Sequence, residues 1–188
     1  MQAKLVMGAM VLAGLAGCGP KSESLGRMRG APPSLAITTE LRNASGEALG
    51  SAVVTQETAG VRVVADVRGL PPGEYAIHLH AIGKCETPGF TSAGPHFNPA
   101  MKQHGHLNPA GEHAGDLPNI TVGGDGRGHL EADRPGLQMT AGTAPLLDAD
   151  GAAVVLHAAA DDYRTDPSGN AGGRVACGVL VNRAQSAG

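Results

Sequence analysis

The stretch Gly50-Ser51-Ala52-Val53-Val54-Thr55-Gln56-Glu57-Thr58 is followed by Ala59-Gly60 and then by Val61-Arg62-Val63-Val64-Ala65-Asp66-Val67. Both runs are rich in β-branched residues, which pack well on a pleated, half-buried surface. In the second run Val61, Val63, Ala65 and Val67 occupy alternate positions and so share one face of an extended strand. With the glycine-containing dipeptide between them, the two runs predict an antiparallel hairpin turning at Ala59-Gly60.

The same period-two reading extends in both directions. Ser34 to Leu41 precedes the hairpin, and Leu70-Pro71-Pro72-Gly73 turns into Tyr75-Ala76-Ile77-His78-Leu79-His80. Further strands are expected at Leu117 to Val122, Gly128 to Ala132, Ala152 to His157 and Arg174 to Val181. Eight short strands with turn signals between them predict an all-β antiparallel sandwich or barrel. Twenty-nine glycines suit a fold with many tight turns. Two stretches, Gly83 to Asp116 and Ala158 to Gly173, lose the periodicity. Loops this long in a compact domain are usually functional or disordered.

The first loop carries donor chemistry. His78 and His80 stand two apart on an expected strand, so both imidazoles reach one side of it. His96, His104, His113 and Asp116 follow in the loop, and His157 ends a later strand. Imidazole is the commonest protein ligand for copper and zinc. Three histidines and one carboxylate in a loop suit a closed tetrahedral zinc site that orders a segment with no core of its own. Spacing alone leaves the division of ligands between ions open. A net charge of −3 offers no basic stripe for nucleic acid.

The N-terminus reads as processing sequence. Lys4 precedes an apolar run from Leu5 to Leu15, too short to span a bilayer. Leu15-Ala16-Gly17-Cys18 resembles a bacterial lipobox, which implies cleavage before Cys18, a lipid on Cys18, and a membrane-anchored mature chain. An ordinary secretory signal with an incidental cysteine is the alternative. The expected organisation is a signal over 1–17, lipidated Cys18 and a tether over 18–33, and one domain over 34–188. It places the protein on the periplasmic side of a bacterial cell envelope. With Cys18 lipidated, Cys85 and Cys177 remain, and an exported chain pairs such cysteines. The closed loop of about 90 residues is worth on the order of 4 kcal/mol in the chain-entropy model. Two buried free thiols, the other option, would suit a cytosolic chain better.

The combination of His78-Leu79-His80, Gly94-Pro95-His96-Phe97-Asn98-Pro99, His113-Ala114-Gly115-Asp116-Leu117, Leu156-His157 with Asp161-Asp162 behind it, and Gly169-Asn170-Ala171-Gly172-Gly173-Arg174-Val175-Ala176-Cys177-Gly178 resembles the Cu/Zn superoxide dismutases. The resemblance spans roughly Leu35 to Val181 in the family's order, and Tyr163 and the Cys85 spacing look like the bacterial branch. It implies an eight-stranded antiparallel Greek-key sandwich or barrel with two long functional loops, and dismutation of superoxide to dioxygen and hydrogen peroxide. Copper would take His78, His80, His96 and His157. Zinc would take His96, His104, His113 and Asp116, with His96 shared. Asp161 would hydrogen-bond His78 and His104, and Arg174 would guide the anion, so that His96 and Arg174 are the catalytic pair.

His106 and His129 match no family role, and Lys84, Lys102 and Arg164 are rim-cation candidates, although such residues are more often plain surface charge. A periplasmic copper carrier on the same fold is the rival function. It leaves Arg174 and the shared histidine without a purpose, and no methionine pattern accompanies the histidines. The oligomeric state is left open, a homodimer included.

Overall fold

The computed structural model describes residue 2 and residues 34–182. The expected signal apart from residue 2, and the whole of the expected lipidated Cys18 and tether over 18–33, lie outside the described residues. The chain divides at Pro32/Pro33, and the second unit contains every element discussed below.

Among the described residues nine strands, against the eight expected, form one antiparallel sheet: β1 (Ala36–Arg42), β2 (Ala48–Glu57), β3 (Gly60–Arg68), β4 (Gly73–Tyr75), β5 (Ile77–His80), β6 (Ile120–Val122), β7 (Arg127–Pro135), β8 (Ala152–His157) and β9 (Arg174–Leu180). Their order is β4-β6-β7-β3-β2-β1-β9-β8-β5. β4 and β5 stand at opposite ends of that order, yet a single residue, Ala76, separates them in the chain. The Ala76 N–H donates to the Ala159 carbonyl, and its own carbonyl accepts the His157 N–H. One extended stretch therefore pairs with β6 through its first half and with β8 through its second, which nearly closes the sheet into a barrel. Among the described residues there is no α-helix, only a short 3₁₀ turn at Thr91–Ala93.

The hairpin exists, with its turn one residue earlier than expected. Glu57 pairs with Gly60, so Thr58-Ala59 makes the turn and Gly60 opens β3. A side chain at Gly60 would run into the Arg134 carbonyl of β7, so its glycine serves close strand approach rather than the turn itself. The strand expected at Leu117 to Val122 starts only at Ile120, because the residues before it are committed to the loop and Pro118 has no N–H to give.

The barrel interior is aliphatic. Leu41, Val54, Val63, Ile77, Leu79, Ile120, Leu156 and Leu180 are fully buried within it. β8 is buried at every position, which explains why Ala152 to His157 shows no alternation. Ala152, Val154 and Leu156 face the barrel core. Ala153 and Val155 face a second cluster outside it, where Phe90, Ala93 and Cys177 pack under the long loop. The Cys85–Cys177 disulfide pins that loop to β9, with its Cα atoms 5.7 Å apart.

The opposite wall, β3 and β7, faces outward with charged residues. Asp66 pairs with His129 across the ladder, and His129 Nδ1 donates to Asp66 Oδ1 at 2.8 Å, with Glu131 at 3.6 Å from Nε2. The hydrogen bond to Asp66 raises the His129 pKa above its ordinary 6.5. A raised folded-state pKa means that this contact stabilises the fold below about pH 6.5 and fades as pH climbs through the folded value. Asp66→Asn should move the NMR titration midpoint of His129 downward, and an unchanged midpoint would exclude Asp66 as the cause.

Candidate metal centre

β5 is the last strand of the sheet order, and its alternation divides labour. Ile77 and Leu79 enter the barrel core, while His78 and His80 lie on the other face and are nevertheless completely buried. The cover is the loop between Gly83 and Asp116. Leu79 N–H donates to the Gly115 carbonyl, Phe97 N–H donates to the Leu79 carbonyl, and Ala81 N–H donates to the Pro95 carbonyl, all at 2.8–2.9 Å. The loop thus completes the hydrogen bonding of an exposed edge, the usual liability of such a strand. In doing so it brings His96 opposite His80 and Asp116 opposite His78.

Two groups of donors result, each with its ligand atoms within 4.8 Å of one another: His78, His80, His96 and His157; and His96, His104, His113 and Asp116. His157 arrives at the end of β8, opposite Arg174 of β9, with its Nε2 3.4 Å from His80 Nε2. In the second group, Asp116 Oδ1 is 2.9, 3.1 and 3.2 Å from the Nδ1 atoms of His96, His104 and His113. Asp116 Oδ2 accepts the backbone N–H groups of Gly105 and His113, which fixes the carboxylate. His96 belongs to both groups. Its Nδ1 faces Asp116, and its buried Nε2 has no hydrogen-bond partner in the protein. His78 Nδ1 lacks a partner in the same way, and His104 Nδ1 has only its 3.1 Å approach to Asp116 Oδ1. Buried polar atoms are nearly always paired, so inward-aimed lone nitrogens in two tight groups fit metal ions.

Asp161 forms a third group with His78 and His104, one ring from each of the other two. Its Oδ2 is 2.8 Å from His78 Nε2 and its Oδ1 is 2.9 Å from His104 Nε2. Such outer hydrogen bonds set the tautomer, leaving Nδ1 of each ring for a ligand role. Asp161 is in turn held by the side chain of Asn119, whose Oδ1 accepts the Asp161 N–H at 2.8 Å and whose Nδ2 donates to its carbonyl at 3.0 Å.

Electrostatics separate the rings. Burial lowers the pKa of His80 to about 2, of His157 to about 3 and of His96 to about 4, and lowers that of His78 as well. These four are neutral at physiological pH, with lone pairs to offer. Burial also works against a charged His104, but Asp116 and Asp161 outweigh it and raise its pKa to about 9. Burial opposes the charge on both carboxylates too, yet hydrogen bonds from His104 and its neighbours hold them well below the usual carboxylate range.

A cavity of about 910 Å³ opens onto His96 and His157, with Arg174, Lys102, Asp148 and Asp166 in its wall. Arg174 Nη1 donates to the Phe90 carbonyl and Nη2 to the Gly94 carbonyl, both at 2.7 Å. His80 Nδ1 shares the Gly94 oxygen at 2.9 Å. Of the candidate rim cations, Lys102 lines the cavity, while Lys84 and Arg164 are absent from its lining. His106 packs its ring on Tyr163 at 4.4 Å, and His129 sits on the far wall; neither joins a donor group. Asn119 and Arg134, both tied to this centre, carry no spacing signal that sequence reading would detect.

A family model described as copper/zinc superoxide dismutase matches residues 48–180. A Cu-Zn superoxide dismutase of Aquifex aeolicus is 43% identical over 155 residues, covering 78% of this chain and 92% of that protein. A superoxide dismutase-like protein of Bacillus subtilis is 37% identical over 191 residues, covering 96% and 97%. The crystal structure of a superoxide dismutase-like protein from Bacillus subtilis superimposes with a TM-score of 0.73 at 39% identity, covering 77% of this chain and 97% of that one. The chain belongs to the copper/zinc superoxide dismutase family.

Asp161→Ala would release the outer nitrogens of His78 and His104 together. Metal affinity should fall roughly 10- to 100-fold at both groups, read by chelator competition. Loss at one group alone would show that the carboxylate serves a single site.

Proposed function

We infer that the protein dismutates superoxide to dioxygen and hydrogen peroxide at a copper site that would share His96 with a zinc site. The observation that carries the reading is the position of His96 in both donor groups, one ring nitrogen facing each. His78, His80, His96 and His157 would hold copper, an all-nitrogen set suited to Cu(II). His96, His104, His113 and Asp116 would hold zinc, the three-nitrogen, one-oxygen set of a closed site. When bound, copper supplies reversible one-electron chemistry and zinc supplies a redox-inert charge that orders the loop.

The side chains account for the rest of the reaction. Two superoxide ions and two protons give one dioxygen and one hydrogen peroxide. His96, whose burial keeps it unprotonated at neutral pH, takes up and releases one proton at Nε2, and water supplies the other. Arg174, tethered at two carbonyls in the cavity wall, provides a fixed positive charge where a small anion docks. His80 is held by its Nδ1–H to Gly94, which leaves Nε2 as its ligand atom. The names of the relatives support the same activity.

The segment Leu15-Ala16-Gly17-Cys18 supports export and lipidation, hence work at the periplasmic side of a bacterial envelope on a membrane anchor. Fatty-acid labelling that persists in Cys18→Ala would refute the anchor.

The central test is metal content and dismutation by the protein reconstituted with copper and zinc, with about one of each per chain expected. His157→Ala should lose copper and activity and keep zinc, and retained turnover would overturn the copper assignment. Arg174→Ala should keep both metals while kcat/KM falls about tenfold at low salt and becomes less salt-dependent.

A further inference from the structure

Arg134 stands near the end of β7, on a wall of the barrel that contributes no member to either donor group. Its backbone is laddered to β3 opposite Val61. Its side chain leaves the sheet for the loop. Nε donates to the Ala114 carbonyl at 3.2 Å, Nη2 donates to the His113 carbonyl at 3.1 Å, and Nη2 lies 3.1 Å from Glu112 Oε1. One guanidinium therefore grips three consecutive residues, and the middle one belongs to the Asp116 group.

The grip is mostly shielded from water, with 16% of the Arg134 side chain exposed. A shielded, charge-assisted contact is stronger than an open surface pair. The planar fork also matters, because an ammonium is a point charge and does not match two carbonyls and a carboxylate at once. Other hydrogen bonds of the same segment run to β5 and within the loop: Leu79 N–H to the Gly115 carbonyl, Gly115 N–H to the Phe97 carbonyl and His113 N–H to Asp116 Oδ2. Arg134 adds an anchor on a separate rigid element.

We propose that Arg134 is a positioning residue for the zinc ligands: its fork fixes the backbone on either side of His113 and so slows the escape of zinc. This rests on the assignment of zinc to His96, His104, His113 and Asp116, and acts through His113 without touching the metal.

The test uses the full chain loaded with copper and zinc, as wild type, Arg134→Ala, Arg134→Lys and Asp116→Ala. Zinc release to excess chelator is followed together with retained copper, and thermal midpoints are taken for the metal-free and zinc-loaded forms. Arg134→Ala should release zinc about tenfold faster or more, the effect typical of outer-sphere partners, with copper retained. The midpoint gained on zinc loading should shrink. Arg134→Lys keeps the aliphatic stem and the charge, creates less of a void, and should still release zinc faster than wild type. Equal lowering of both midpoints with unchanged zinc release would reduce Arg134 to a structural contact and overturn the proposal. Full retention in Arg134→Lys would overturn the requirement for a fork. If Asp116→Ala also fails to speed zinc release, the zinc assignment itself falls. If Asp116→Ala speeds it and neither Arg134 variant does, only the present inference falls.

Discussion

Two buried carboxylates govern the arrangement of this protein. An ionised carboxylate taken out of water costs several kcal/mol unless donors replace the lost hydration. Asp116 is satisfied by the backbone of Gly105 and His113 and by three imidazoles around its other oxygen. Asp161 is satisfied by the Tyr163 N–H and by the rings of His78 and His104. These donors come from β5 and from both long loops. Satisfying two charges therefore folds two otherwise irregular segments onto one strand.

The barrel and the loops divide the work accordingly. Strands β5 and β8 present His78, His80 and His157 with the precision of a hydrogen-bonded ladder. The loop supplies the rest and is fastened at several points: along the β5 edge, at the disulfide to β9, and at Arg134. A redox centre needs ligands that move little, whereas a loop resting on only a small apolar cluster tends to open locally. The fastenings reconcile the two requirements.

Much of this was legible in the residues themselves. Period-two runs such as Val61 to Val67 define strands because one face is apolar and the other is wet. Gly60 misled for a physical reason: its glycine answers the approach of β7, a long-range fact that a turn dipeptide cannot reveal. Leu117 and Pro118 look like strand but are claimed by the loop. Histidine spacing announced the donor groups, since ligands cluster in sequence when a loop wraps an ion. Asn119 and Arg134 were silent, because a side chain that binds backbone carbonyls elsewhere leaves no periodic mark. Rim charge was half legible: Lys102 lines the cavity and Lys84 does not, and only the path of the loop decides which.

The Gly94 carbonyl accepts both His80 Nδ1–H and Arg174 Nη2–H, and so uses both of its lone pairs. The residue sits at φ 73°, where a side chain would press on Ile82. A ring of the first donor group and a guanidinium of the cavity wall thus hang from one oxygen atom. Any drift of that peptide disturbs both at once. Gly94 is therefore a pleiotropic position, where a single substitution would register as two defects.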